Sequence, residues 1–243
     1  ESFGAEILRA WAAMVDFQED MRLSENILQM VATQYRKVRN TIRFMLGNLY
    51  DFDPTVHAQP VESLPALDQY MLAQLMELER RVIRAYEDYR YHVVYHALYQ
   101  FCNQDLSAFY LDVLKDRLYC AHPDDPGRRA AQTVLFETTR SLLRLMAPIF
   151  SFTADEAWAH LPAYPGKPAH VFLDTVAPPY RWALDSDGIE RIRTFRDVRE
   201  VALKALEEAR AAKQIGSSLD AHVTVHHSPK DAWFRDFLPE LRE

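Results

Sequence analysis

The chain has 243 residues, of which 28 are Lys or Arg and 35 are Asp or Glu, so its formal net charge is −7. Apolar residues make up 49% of the chain, a fraction that excludes an intrinsically disordered protein. The six glycines are scattered, and neither GxGxxG nor GxxxxGK[ST] occurs. The two common glycine-rich loops that bind nucleotide phosphates are therefore excluded.

Cysteine content and hydropathy indicate the compartment. Cys102 and Cys120 are too few for a disulfide framework or a four-cysteine zinc site. The sequence has neither a signal peptide nor an apolar run of about 18 residues. We therefore expect a cytoplasmic protein without membrane contact. Because the sequence begins at Glu1 and ends at Glu243, we also expect it to be a piece of a longer chain.

The first strongly periodic segment predicts a helix from Ser24 to Leu49. Ser24 is a favourable N-cap, and Glu25 places a negative charge where the helix dipole favours one. Apolar side chains recur every three or four residues from Ile27 onward. Pro54 ends the helical pattern because proline disfavours helix at the residue before it.

Four further helices are predicted from the same spacing of apolar side chains. Their approximate limits are 65–89, 92–119, 128–146 and 153–158. Pro65 suits the first turn of its helix, and the length of the 92–119 helix predicts a bend near residues 105–107. Thr153 and Glu156 form a predicted capping box at the start of the last helix.

The composition changes after residue 161. Five prolines between residues 162 and 188 predict a linker, with a short strand at Val171–Leu173. A charged helix is predicted over 189–214, and Gly216 ends it. The alternation over 221–225 predicts a strand. The sequence thus predicts a mainly α protein, with a helical bundle over about 25–161 and then a small, incomplete α+β piece.

The first predicted helix carries the strongest candidate site. Between Asn26 and Tyr50 it has four basic residues and no acid, with an amide and an aromatic ring beside them. Arginine pairs with phosphates, asparagine can hydrogen-bond to base edges, and aromatic rings stack on bases, so the segment is compatible with an RNA-binding face. From composition alone, a solvated basic face with the aromatic ring packed under a neighbouring element is the favoured interpretation. These residues are Arg36, Lys37, Arg39, Asn40, Arg43 and Phe44.

Two weaker clusters have structural explanations. His92 and His96 are spaced to chelate zinc, but packed structural histidines are the favoured interpretation. The segment 115–117 predicts either phosphate contacts or surface ion pairs, and ion pairs are favoured. No catalytic residue and no metal ligand is assigned from the sequence.

Several segments together resemble bacterial isoleucyl-tRNA synthetases, a family of class I aminoacyl-tRNA synthetases. The most specific are YRKVRNTIRF at 35–44 with DFDP at 51–54, and LSAFYLD at 106–112 with KDRLY at 115–119. FTADEAW at 152–158 is shared more widely among related synthetases. KQIGSSL at 213–219 is similar to the isoleucine enzymes in particular. The chain departs from the family pattern at Arg90 and Tyr91, and residues 162–190 match weakly.

The resemblance implies an organisation and a set of RNA contacts. It makes 1–24 the tail of a stem-contact region, 25–161 a helical anticodon-binding domain, 162–188 a linker, and 189–243 part of a C-terminal junction domain. The implied partner is the anticodon stem and loop of tRNA(Ile). The implied tRNA-binding residues are Arg36, Arg39, Asn40, Arg43 and Phe44, with Lys213 and Ser217 as further contacts.

The resemblance also implies which chemistry lies outside this sequence. The complete family enzyme attaches isoleucine to its tRNA using ATP and Mg²⁺, but the HIGH and KMSKS motifs and the editing domain are not present here. We therefore expect a monomer that is inactive by itself and holds no cofactor, with any Zn²⁺ bound by a C-terminal part beyond this sequence. The alternatives are the same region of a valyl- or leucyl-tRNA synthetase, and a helical interaction scaffold without an RNA role, which the acidic net charge favours.

Overall fold

The computed structural model describes residues 3–175, 182–217 and 220–226. Across these ranges it contains α-helices with short 3₁₀ and π segments, and no strand. The mainly α class predicted from the sequence is confirmed. The chain divides into two compact units, residues 1–183 and 184–243. The segment bounds predicted at 24, 161 and 188 stay predictions.

The first unit is a bundle of helices. A π-helix over Phe101–Tyr110 joins α4 to α5, and 3₁₀ turns lie at Val61–Ser63 and Val171–Leu173. The α-helices are α1 (Ala5–Met14), α2 (Glu25–Gly47), α3 (Ala66–Glu87), α4 (Tyr91–Gln100), α5 (Leu111–Val113), α6 (Lys115–Tyr119), α7 (Pro126–Met146) and α8 (Ser151–His160).

Local capping explains where the long helices begin. The Ser24 hydroxyl accepts a hydrogen bond from the Ile27 N–H at 3.3 Å, as its N-cap role predicts. α3 begins directly after Pro65. The Asp125 carboxylate accepts the Arg128 N–H at 2.9 Å and caps α7. These starts lie within about two residues of those predicted from the sequence.

Helix α7 lies at the centre of the bundle. It contacts α2, α3, α6 and α8, and it is buried along nearly its whole length, including polar residues such as Thr138 and Thr139. Helix α2 buries its apolar stripe, including Val31, Val38 and Ile42, within the bundle, where it contacts α1, the π-helix, α7 and α8. This packing fixes which face of α2 remains open to solvent.

A charged network ties the end of α2 to the start of α7. The two Arg128 guanidinium nitrogens donate to the Asp51 carboxylate at 2.7 and 3.0 Å, and the Gln132 amide donates to it at 2.7 Å. Arg129 lies 3.4 Å from the same carboxylate. Burial acts to raise the pKa of Asp51, but these hydrogen bonds and the two arginine charges outweigh it, so the pKa lies below its usual value.

The predicted helix over 92–119 is interrupted. α4 passes into the π-helix and then into the short helices α5 and α6. The π-helix contains residues 105–107, where the sequence predicts a bend. A π-helix adds a residue per turn and re-aims the side chains that follow it.

The capping box predicted at Thr153 and Glu156 is wrong. α8 begins earlier, at Ser151 after Phe150, so Thr153 lies inside the helix and is buried. Its hydroxyl hydrogen-bonds to the Tyr35 hydroxyl at 2.7 Å, a partner from α2 that the local sequence could not indicate.

Neither predicted strand forms in the described part of the chain. Val171–Leu173 is a 3₁₀ turn, in which Val171 is buried and its N–H donates to Asp155 at 3.1 Å. Residues 221–226 are described and have no strand conformation. A strand needs a neighbour to satisfy its backbone groups, and no paired strand is present in the described ranges.

Much of the proline-rich segment packs on the bundle. The Trp158 indole N–H donates to the Pro168 carbonyl at 2.9 Å, and Arg144 donates to Asp174 at 2.8 Å. The Tyr164 ring lies edge-on to Trp158, with 6.5 Å between ring centroids. Residues up to 174 are thereby attached to α7 and α8. Pro178 and Pro179 of the predicted linker lie outside the described residues.

The second unit contains one long helix among its described residues. This helix, α9, spans Ser186–Ala211 and begins where the Asp185 carboxylate accepts the Asp187 N–H at 3.1 Å. The charged helix predicted over 189–214 is thus confirmed, with an earlier start. Over the described ranges of both units, no helix has the length and apolarity needed to cross a bilayer.

Candidate nucleic-acid interface

Helix α2 presents its predicted basic residues to solvent. Its apolar stripe faces the bundle, so the residues between the stripe positions lie on the open side. The structure therefore brings four of the predicted site residues together on one exposed face. These residues are Arg36, Arg39, Asn40 and Arg43.

The side chains on this face differ in their partners. Arg36 donates to its own helix, to the Ala32 carbonyl and the Thr33 hydroxyl, both at 3.2 Å. Arg39 forms an ion pair with Glu156 of α8 at 3.4 Å. The Arg43 guanidinium and the Asn40 amide have no hydrogen-bond or ion-pair partner among the residues placed by the structure. Arg43 and Asn40 are thus the groups most available to a ligand.

A groove of about 610 Å³ runs between α2 and α8. Arg39, Asn40 and Arg43 line one wall, and Glu156 and His160 of α8 line the other. The cations outnumber the single carboxylate, so the groove suits an anionic ligand.

A second groove of about 600 Å³ lies between α2 and α6 and shares Asn40 and Arg43 with the first. Aromatic rings line it. Phe44 is half-buried and meets the edge of Tyr119, with ring centroids 6.4 Å apart and planes at 76°. Tyr50 lines both grooves and is 80% exposed, and Tyr119 is 62% exposed. This groove therefore offers exposed ring faces beside a free guanidinium and a free amide.

Asn40 also lines a third, smaller groove of about 310 Å³. Lys37 and Phe44 of α2 line it together with Asn103 of the π-helix and Lys115 of α6. Lys115 is held by Asp112 at 2.8 Å. Asn40 thus lies where three grooves meet, and its amide can reach a ligand in any of them.

Sequence reasoning missed four residues of these grooves: Tyr50, Tyr119, Glu156 and His160. Tyr50 follows α2, and Tyr119 is the last residue of α6. The two residues line the same groove only in the folded chain. Glu156 was assigned to a capping box instead of a groove wall. Exposed aromatic residues at helix ends were the one available signal, and it was weak.

Arg117 has a structural role. Its guanidinium donates to Asp68 at 2.8 Å, and the Tyr110 hydroxyl donates to the same buried carboxylate. Burial raises the pKa of Asp68 in spite of the adjacent Arg117 charge. The predicted surface ion pair of the 115–117 segment is present at Lys115, which pairs with Asp112, whereas the Arg117 pair is buried.

Lys213 and Ser217 belong to the second unit. Lys213 is exposed at the end of α9 with a left-handed backbone, φ 57°. The Ser217 N–H donates to the Asp220 carboxylate at 2.8 Å, so this backbone donor is already used. Ser218 and Leu219 lie outside the described residues. A tRNA contact by Lys213 or Ser217 stays a prediction.

The histidine pair has no metal-site geometry. His92 Nδ1 lies 3.9 Å from an Asp16 carboxylate oxygen, and His96 is exposed. Within the ranges placed by the structure, no three His, Cys, Asp or Glu side chains come together as a metal site. The pair lies away from the grooves on α2.

Comparison with known proteins identifies the fold's family. Residues 68–225 match the family described as the anticodon-binding domain of tRNA ligase. The match includes Tyr119, Glu156 and His160, while α2 precedes it.

Curated relatives match along the whole chain. An isoleucine–tRNA ligase of Geobacillus thermodenitrificans is 50% identical over 245 residues, which cover 100% of this chain and 26% of the relative. An isoleucine–tRNA ligase of Carboxydothermus hydrogenoformans is 49% identical over 240 residues, which cover 99% of this chain and 26% of the relative. An isoleucine–tRNA ligase of Bacillus subtilis is 42% identical over 245 residues, which cover 100% of this chain and 26% of the relative.

The chain spans about a quarter of the length of these relatives. The resemblance inferred from the sequence motifs is confirmed by the family match over 68–225 and by the relatives along the whole chain. The chain belongs to the family of anticodon-binding domains of tRNA ligases.

Proposed function

We propose that this chain binds the anticodon stem and loop of tRNA(Ile), as a monomeric, cytoplasmic part of an isoleucine–tRNA ligase. The observation that carries the proposal is the position of Asn40 and Arg43, which lie free of partners on the wall shared by two grooves. The family match and the names of the curated relatives support the choice of ligand.

The chemistry of the grooves suits a single-stranded loop with splayed bases. Arg43 offers a planar guanidinium that can pair with two phosphate oxygens at once. Tyr50 and Tyr119 offer exposed rings on which unpaired bases can stack. Asn40 offers a donor and an acceptor that can hydrogen-bond to a base edge.

The net charge of −7 does not oppose this function, because RNA responds to the local field. α2 has no acid between Asn26 and Gly47, so the open face is positive. Glu156 is the carboxylate that lines the α2–α8 groove, and it already pairs with Arg39.

Ligase chemistry belongs to the longer proteins in this proposal. Activation of isoleucine would use ATP and Mg²⁺, and a Zn²⁺ site would lie in a C-terminal part beyond this sequence. The side chains described for this chain do not fit a metal, since no three of the usual ligand types converge. We therefore place no step of the reaction on this chain, and its contribution is to hold the tRNA.

Fluorescence anisotropy with labelled tRNA transcripts tests the proposal. At about 50 mM salt, where electrostatic contacts are strong, tRNA(Ile) is expected to bind more tightly than tRNA(Val) or tRNA(Leu). Exchange of the anticodon loop of tRNA(Ile) for that of tRNA(Val) should remove the difference. Equal affinity for all three transcripts would contradict the isoleucine assignment, and absence of binding would favour a helical scaffold without an RNA role.

A further inference from the structure

A second basic groove lies at the turn between α3 and α4. Its volume is about 640 Å³. It shares no lining residue with the three grooves on α2, so it is a separate surface of the same unit. Four arginines line it: Arg80, Arg81, Arg84 and Arg90.

The turn after α3 brings these arginines together. Tyr89 adopts a left-handed backbone, φ 56°, and the Arg90 N–H returns to the Ala85 carbonyl at 2.7 Å. The Asp88 N–H donates to the Arg84 carbonyl at 3.0 Å. These bonds close the end of α3 as a tight αL turn. Arg90, at the start of α4, is thereby held beside the last turn of α3, where Arg84 lies.

Most of the positive charge in this groove is unpaired. Arg80 forms an exposed ion pair with Glu77 at 3.4 Å. Arg81, Arg84 and Arg90 are exposed and form no ion pair with any residue that the structure places. Uncompensated guanidinium groups that converge on one groove attract an anion.

The composition of the lining narrows the class of anion. All four cations are arginines, whose planar forks match the oxygens of a phosphate group. The groove also contains two carboxylates besides Glu77, those of Glu87 and Asp88. The three unpaired arginines outnumber these two acids, so the groove favours an anion. The excess of positive charge is small, so the groove is not suited to a small ligand that carries several negative charges. No aromatic ring and no side-chain amide lines it, so it lacks the ring faces and the amide that the grooves on α2 offer to bases.

We propose that this arginine groove binds phosphate groups of an RNA backbone, at a site separate from the anticodon face on α2. It contacts phosphates without regard to base sequence, and it adds affinity to whichever RNA the α2 face selects. Since the two sites share no residue, variants can remove one and leave the other intact.

The salt dependence of binding tests the proposal on the complete chain. Each lost phosphate contact reduces the slope of log K against log[salt] by about 0.7 to 0.9. The double variant Arg84→Gln/Arg90→Gln is therefore expected to reduce the slope by about 1.4 to 1.8. Because no base is read, the reduction should be the same with tRNA(Ile) and with tRNA(Val).

A charge-matched control separates a site from a change in net charge. Arg191→Gln/Lys204→Gln removes two exposed charges from α9 and should leave the slope unchanged. An unchanged slope for Arg84→Gln/Arg90→Gln, or equal reductions for test and control, would overturn the proposal. A lack of preference for tRNA(Ile) would contradict the proposed function. A reduced slope for Arg84→Gln/Arg90→Gln would still support the phosphate site in that case. Circular dichroism melting confirms that each variant is folded.

Discussion

The Arg39 guanidinium meets the Glu156 carboxylate at 3.4 Å across the groove between α2 and α8. Both side chains are more than half exposed, at 55% and 62%. An exposed ion pair of this kind is worth about 0 to 1 kcal/mol, so it exchanges readily for a stronger partner. In the proposed function, Glu156 would therefore compete with RNA phosphates for Arg39, and it should limit affinity more than it stabilises the fold.

Replacement of this acid is expected to strengthen tRNA binding. Glu156→Gln removes a negative charge from the groove wall and releases Arg39, so the Kd for tRNA should fall about threefold to tenfold at low salt. Anisotropy titration measures the change. Glu62→Gln, an exposed acid that lines none of the described grooves, is the matched control. Equal effects of the two variants, or weaker binding by Glu156→Gln, would contradict the role given to Glu156.

The exposed tyrosines are expected to supply stacking. A base stacked on an aromatic side chain contributes about 1 to 3 kcal/mol, so Tyr119→Ala or Tyr50→Ala should raise the Kd for tRNA at least about fivefold. Tyr→Phe at either position keeps the ring and should keep the affinity. Phe172→Ala removes an exposed ring elsewhere, 57% exposed against 62% for Tyr119, and serves as control. Loss of affinity in the Tyr→Phe variants would indicate a hydroxyl contact instead of stacking.

The network at Asp51 is expected to stabilise the bundle. Asp51→Asn leaves the buried guanidinium of Arg128 without its charge partner and disturbs the bond from Gln132. Loss of one partner of a buried pair costs several kcal/mol, and because Asp51 is 21% exposed we expect about 2 to 3 kcal/mol. Urea unfolding measures the free energy. Asp53→Asn, at a neighbouring exposed carboxylate, should cost less, and equal losses would contradict the assignment.

The same pair predicts a dependence of stability on pH. Although burial acts to raise the pKa of Asp51, the bonds from Arg128 and Gln132 leave it lower in the folded chain than in the unfolded one. The stabilisation is therefore complete above the unfolded pKa of about 3.9 and is lost as the pH falls through the folded pKa. The difference in unfolding free energy between the parent and Asp51→Asn should be constant from pH 5 to 8, on the order of the value at neutrality, and should shrink below about pH 4. A difference that grows on acidification would contradict this sign.

Sequence patterns predicted those features that depend on neighbouring residues. The starts of α2, α3 and α7 follow from Ser24, Pro65 and the loop before Arg128, because capping uses side chains within one turn. The basic face of α2 follows from helical periodicity alone. Thr153 shows the limit: its sequence fits a capping box, but the packed bundle supplies Tyr35 as a partner.

The remainder of the candidate site depends on tertiary packing. Tyr119 meets Phe44 because α6, which follows the π-helix and α5 and packs on α7, brings its last residue to the ring on α2. A short apolar run predicts a strand at Val171–Leu173 and alternation predicts one over 221–225, but either pattern forms a strand only where a second strand pairs with it. A local sequence pattern does not show how distant helices pack or whether a second strand is available for pairing.

The salt dependence of tRNA binding by Arg39→Gln/Arg43→Gln tests the RNA-binding face of α2 most directly. If both guanidinium groups contact phosphates, the slope of log K against log[salt] for tRNA(Ile) should fall by about 1.4 to 1.8, and the Kd at 0.1 M salt should rise at least about tenfold. Arg191→Gln/Lys204→Gln changes the net charge equally and should leave both quantities at the parent's values. An unchanged slope and Kd in a variant that melts like the parent would remove α2 from the RNA-binding surface.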